Sequence, residues 1–299
     1  FPASSRPLGL ESGGLLCPLS APGYLRYDLE HKINVRKVHT AMWEQENYVP
    51  PPSLLLALTE AQRALVEIFS LSLTRRTLDR VAPRGDGHGV MVLPGFLGSD
   101  GYNAALRRFL SRLEYGVHGW GMGQNLGPRE GVLEGLEGRL KALAERYGGP
   151  ISLVGHSLGG IFARELARRY PESVRQVISM GSPFGEGRMT ASIPARLFNA
   201  LNPPDEIPVA VDLLSCAPPV PTTAIYSKGD GIVNWETTCQ RNGHPRTQSI
   251  QVRGSHCGMT LNPSIWFLIA ERLATPVDEW RPFERSRWRS LLYPEAQLR

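Results

Sequence analysis

Ile151-Ser152-Leu153-Val154-Gly155-His156-Ser157-Leu158-Gly159-Gly160-Ile161 decides how this chain is read. A short apolar strand, Ile151 to Val154, runs into a G-x-S-x-G pentapeptide, and a helix-compatible run, Ile161 to Tyr170, leaves it. A strand that turns so sharply into a helix crowds its own backbone. Gly155 and Gly159 remove the Cβ atoms that would collide across the turn, and Ser157 is forced into a strained conformation with its hydroxyl standing clear of the sheet. The N-terminus of the next helix favours negative charge developing beside it. Ser157 is therefore the candidate nucleophile.

On either side of this turn the chain alternates strands and helices from residue 90 to 273. Val90–Leu93, Tyr115–His118, Val174–Met180, Thr223–Tyr226 and Ser249–Val252 read as further strands. Tyr102–Leu113, Gly131–Arg146 and Ser264–Leu273 carry apolar residues at helical spacing. Short turns between such elements imply an α/β fold: a mostly parallel sheet of about six strands with helices on both faces. Residues 1–41 read as an irregular N-terminal segment. Residues 42–89 form a helical extension, because Leu54, Leu55, Leu58, Leu65, Ile68, Phe69 and Leu73 recur as in one or two amphipathic helices. Residues 90–275 are the expected catalytic domain and 276–299 a solvated C-terminal tail. Within the domain, 184–220 interrupts the rhythm with six prolines, and Ile193, Leu197, Phe198 and Leu201 are placed to line a short lid over an apolar pocket. The first Met is Met42, so residues 1–41 are expected to be dispensable for catalysis.

A serine hydroxyl needs a base, and where G-x-S-x-G forms such a strand-to-helix elbow the chain order is Ser, then acid, then His. Only His244 and His256 follow Ser157. His256 lies just past a strand, where a doubly wound sheet places its site, whereas His244 lies at the other end of that strand. Asp230 follows the strand Thr223–Tyr226 and is the expected acid; Asp205, Asp212 and Asp278 are weaker candidates. Acyl transfer also needs two N–H donors for the oxyanion. Leu158, after the nucleophile, supplies one. Phe96, in Pro94-Gly95-Phe96-Leu97-Gly98-Ser99 after the first strand, supplies the other.

Composition excludes several classes. The net charge of +5 comes from 29 Arg and 4 Lys scattered along the chain, with no clustered nucleic-acid footprint. The densest run, Arg281 to Arg289, alternates with Glu284 and aromatic residues. No stretch approaches the ~20 apolar residues of a membrane span, and no secretory signal is visible, so a cytoplasmic location without stable membrane insertion is expected. The four cysteines form no disulfide scaffold: Cys239 and Cys257 make one bridge or stay as buried free thiols. Gly119-Trp120-Gly121-Met122-Gly123 lacks the phosphate-loop spacing and reads as a close-packed loop near the site. No metal-ligand motif occurs, and no cofactor is implied.

These motifs together resemble the α/β-hydrolase superfamily, specifically bacterial lipase- and esterase-like proteins related to GPI inositol-deacylase-type hydrolases. The likeness rests on Pro94-Gly95-Phe96-Leu97, Gly155 to Gly160, Gly181-Ser182-Pro183-Phe184-Gly185, Asp230-Gly231-Ile232-Val233 and Gly254 to Met259, in that order. It implies a compact hydrolase fold with Ser157, Asp230 and His256 as the triad and Leu97, His156, Ile232 and Met259 against the substrate. The antiparallel strands that open a full hydrolase sheet are not visible before residue 90; the helical stretch 53–78 stands in their place. The expected activity is hydrolysis of a small-molecule or lipid carboxylic ester through an acyl-enzyme. Amidase or acyltransferase chemistry uses the same groups, and a non-catalytic binding protein of this fold is the remaining alternative. Oligomeric state is not legible.

Overall fold

The computed structural model describes residues 49–185, 197–198, 200–202, 214–241, 245–286 and 288–296. Six strands form one sheet: β1 (Gly89–Leu93), β2 (Gly116–Gly119), β3 (Ile151–His156), β4 (Val174–Met180), β5 (Thr222–Ser227) and β6 (Thr247–Val252). Their spatial order is β2-β1-β3-β4-β5-β6, and every pairing is parallel. Seven α-helices accompany them among the described residues: α1 (Leu54–Leu58), α2 (Glu60–Val81), α3 (Ala104–Arg112), α4 (Val132–Arg146), α5 (Leu158–Arg169), α6 (Pro263–Ala274) and α7 (Arg289–Leu292).

Because side chains alternate along a strand, β1 divides its apolar residues between two cores. Val90 and Val92 join Leu106, Phe109, Trp266 and Leu268 from α3 and α6. Met91 and Leu93 join Leu136, Leu140, Phe162 and Leu166 from α4 and α5. Helices thus cover both faces of the sheet, and all five β1 residues are buried. The parallel direction sends every strand out through the same edge. The segments after Leu93, His156, Met180, Ser227 and Val252 therefore gather there.

Three expectations change. The helical stretch is present, but Leu65, Phe69 and Leu73 are 64%, 65% and 68% exposed, and Leu54, Leu55 and Leu58 also face outward. The face turned inward carries Glu60, Glu67, Leu71 and Leu78. The apolar spacing therefore marked the outer side, because the inner side meets polar loops through Glu60 and Glu67 and the core beside α6 through Leu71 and Leu78. The C-terminal segment is not a solvated tail. Phe283 and Tyr293 are buried and meet edge to face, the Tyr293 hydroxyl donates to Ser264 O at 2.8 Å, and the Arg289 guanidinium lies 4.9 Å from the Phe283 ring centre. Arginines alternating with aromatics allow each ring to bury while the charged group stacks on it. Cys239 and Cys257 are not bridged: Cys239 is buried with its thiol directed at Trp235 O, and Cys257 is exposed in the loop after β6. Among the described residues no helix is long and apolar enough to cross a membrane.

Candidate active site

Ser157 sits between the end of β3 and the start of α5 with φ 51° and ψ −121°, outside the regions open to most residues. Its N–H donates to Met180 O of β4 at 2.8 Å, which pins the turn to the neighbouring strand. The turn tolerates no Cβ at its flanks. One on Gly159 would lie 2.4 Å from Leu93 O and 2.7 Å from Pro94 O. Gly159→Ala is thus expected to destabilise the fold by about 3 kcal/mol or more, read as a fall in the urea midpoint. An unchanged midpoint would mean that the turn relaxes freely.

The Asp230 and His256 side chains are brought together. His256 Nδ1 lies 2.6 Å from Asp230 Oδ2, with both groups buried. The other carboxylate oxygen accepts the Ile232 and Val233 N–H groups at 2.9 and 2.7 Å, so the acid cannot turn away from the ring. Burial opposes charge on the His256 imidazole, but the Asp230 carboxylate, by its charge and its hydrogen bond, and then the Glu60 carboxylate outweigh it. The ring is held above the ordinary histidine value. Gly181, with φ 55°, backs this pair: a Cβ there would approach His256 Nδ1 and Asp230 Oδ2 to 3.1 and 3.2 Å. No hydrogen bond joins Ser157 Oγ to the imidazole in this structure; such contacts commonly tighten only around substrate.

The loop after β1 faces the serine. A Cβ on Gly95 would lie 3.1 Å from Ser157 Cβ. Asn125, fully buried, laces this loop in place. Its carbonyl accepts Leu97 N–H, its N–H donates to Gly98 O, and its side-chain amide donates to Pro94 O, all at 2.7–2.8 Å. The Phe96 N–H has no acceptor among the described residues. The Phe96 ring meets Phe198 edge to face, with centroids 5.4 Å apart, and Asn202 donates to Leu126 O at 3.0 Å. The segment 184–220 therefore touches the loop opposite Ser157 through Phe198 and the adjacent Asn125–Leu126 stretch through Asn202. Leu197 and Leu201 are exposed rather than inward, because Phe198 takes the inner side of this turn. Ile193 lies outside the described residues.

Of the other expected substrate contacts, Leu97 is exposed and Ile232 half-buried. His156 and Met259 are enclosed. Met259 belongs to the core beneath the site. His156 donates from Nε2 to His256 O at 3.0 Å, with Tyr102 stacked on it; burial, then the neighbouring His256 ring, push its pKa down to about 3. It is a neutral prop for the His256 loop. Gly119 to Gly123 packs as a loop at the same edge, with Trp120 buried and its N–H held by Asp100. Asp278 is exposed beyond α6 and is not brought to the site; His244, Asp205 and Asp212 lie outside the described residues. A cavity of about 560 Å³ at the opposite edge, lined by His88, Tyr147, Arg175 and Arg246, contains none of the candidates.

Asn125, Tyr102, Glu60 and Glu67 escaped the sequence reading. The one available signal was two glutamates seven residues apart on a helix, which share a face after two turns.

A family model described as the α/β-hydrolase fold matches residues 144–206, the span that holds β3, the serine turn and β4. A solved structure from work on LipS and LipT, two metagenome-derived lipolytic enzymes, is 20% identical, with 64% of this chain and 94% of that chain covered and a TM-score of 0.50. Lipase B of Aspergillus fumigatus is 16% identical over 64% of this chain and 54% of that one, also at 0.50. No curated protein matches. At these identities the likeness is one of fold.

Proposed function

We propose that this chain, which has the α/β-hydrolase fold, is a serine hydrolase that cleaves carboxylic esters through an acyl-enzyme. The observation that carries the reading is the buried Asp230–His256 pair, closed at 2.6 Å, at the same sheet edge as a serine held at positive φ. Ser157 attacks the ester carbonyl while His256 takes its proton, and Asp230 holds the ring in the tautomer that leaves Nε2 free to accept. The Phe96 and Leu158 amides bind the oxyanion. His256 then protonates the leaving alcohol and activates the water that releases the acid. Leu97, in the loop that faces the serine, and Ile232, two residues after the acid, contact the acyl or alcohol group, and Phe198 covers the site as part of a lid.

A fluorophosphonate probe tests the reading. Stoichiometric labelling is expected, and it is lost in Ser157→Ala. Turnover across p-nitrophenyl esters from acetate to palmitate then sets the acyl length, with a rise on emulsified long chains marking a lipase. A wild-type chain that neither labels nor turns over any ester would sink the proposal.

A further inference from the structure

Helix α2 lies outside the alternating fold, yet its inner face reaches the candidate site. Glu60 is buried, and its carboxylate touches both loops. Oε1 accepts the Cys257 N–H at 2.7 Å, and Oε2 accepts the Gly231 N–H at 3.0 Å. Cys257 directly follows the candidate base and Gly231 directly follows the candidate acid. Arg63, one turn on, donates to Glu60 Oε2 at 2.8 Å and to the Gly229 carbonyl, on the other side of Asp230. Two turns from Glu60, Glu67 accepts the Ser255 N–H and hydroxyl and the Asn262 side-chain amide. The receiving loops are glycine where the carboxylates arrive. A Cβ on Gly231 would lie 2.7 Å from Glu60 Oε2, and one on Gly258 would overlap Glu67. A buried carboxylate persists only when its oxygens are satisfied, and for Glu60 two of the three donors are backbone N–H groups of the loops that carry Asp230 and His256.

From this geometry we infer that Glu60 is a positioning residue, a single buried carboxylate that ties the acid loop to the base loop and sets their register, with Arg63 and Glu67 as its supports. The inference rests on the serine-hydrolase reading above. Glu60 also adds negative charge near the imidazole. The groups around His256 are Asp230 from the loop after β5, His156 from β3 and Glu60 from α2; beside them Glu67 bonds Ser255, Tyr102 donates to Cys257 O, and Arg63 pairs with Glu60. Of the α2 groups, Glu60 is the one that helps hold the ring above its ordinary value. That charge separates positioning from mere packing. Gln in place of Glu60 keeps the shape and one acceptor oxygen but loses the charge and one of the two loop bonds.

The test follows the second-order rate of fluorophosphonate labelling of Ser157 against pH, since labelling requires the neutral imidazole. In Glu60→Gln the plateau is expected to fall about tenfold, and the acid limb to move down by about half a pH unit or more, as loss of a nearby charge at intermediate dielectric requires. Glu60→Asp keeps the charge, so its limb stays near the wild-type position. Should Glu60→Gln fail to fold, Glu60→Asp stands in: its shorter side chain cannot span both loops, so its plateau is expected to fall while its limb stays. A labelled wild type whose limb and plateau are unchanged in Glu60→Gln overturns the positioning role alone. A plateau unchanged in Glu60→Asp does the same where that variant stands in. A wild type that never labels overturns it together with the serine-hydrolase reading.

Discussion

On the proposed mechanism, Ser157→Ala is expected to remove ester turnover, by a factor on the order of 10⁶ in kcat, while the protein stays folded. The size follows from what the hydroxyl alone provides. Ser157 Cβ stands against the Gly95 loop, and in the proposed mechanism its Oγ is the atom acylated, so without it no acyl-enzyme forms. What survives is the residual acceleration of about 10³–10⁴ over water that oxyanion donors and binding supply. Stability is expected to move little, because the backbone strain belongs to φ and ψ of residue 157 and alanine inherits it. The measurement is p-nitrophenyl ester turnover beside thermal unfolding of both proteins. Turnover within tenfold of wild type would reject Ser157 as nucleophile.

Asp230→Asn should lower kcat/KM by about 10⁴ at neutral pH. The asparagine oxygen can still accept the Ile232 and Val233 N–H groups, so the loop survives. Its amide, however, now faces His256 Nδ1 as a donor. That selects the tautomer with the proton on Nε2, which cannot accept from Ser157. The pH dependence has a definite sign. Asp230 and Glu60 outweigh burial and raise the His256 pKa, so wild-type activity rises with pH through a value above the ordinary ~6.5 of histidine. Without the Asp230 charge, burial dominates and the acid limb moves down. By linkage, the stability that the wild-type pair gains from the protonated ring is full below the unfolded value near ~6.5 and is lost as pH rises through the raised folded value. A variant with an unshifted limb would show that Asp230 does not govern this histidine.

Much of the fold was legible because its signals are local. The inner strands β1, β3, β4 and β5 are short runs closed by Pro, Gly or a polar turn and buried on both faces, whereas the edge strands β2 and β6 are partly half-buried. The serine turn was readable because a Cβ at Gly155 or Gly159 is sterically impossible there. The Ser, Asp, His order needed only chain direction and the rule that parallel strands deliver their loops to one edge. The failures have a common origin. The outward Leu65, Phe69 and Leu73 and the buried Phe283 and Tyr293 depend on what each segment packs against, and hydrophobicity along one segment does not carry that information.

The amino-acid order alone was enough for the doubly wound sheet, the strained serine and the candidate acid and base, because steric exclusion at a glycine and strand alternation act within a few residues. Packing decided the rest. Whether Glu60 points to solvent or into the space between Gly231 and Cys257 depends on how α2 docks across partners nearly 200 positions distant in the chain. The same holds for His156, which became a neutral prop once the His256 carbonyl and the Tyr102 ring closed around it. Buried polar groups must be satisfied where the chain has folded, and only the folded chain says which partners are there.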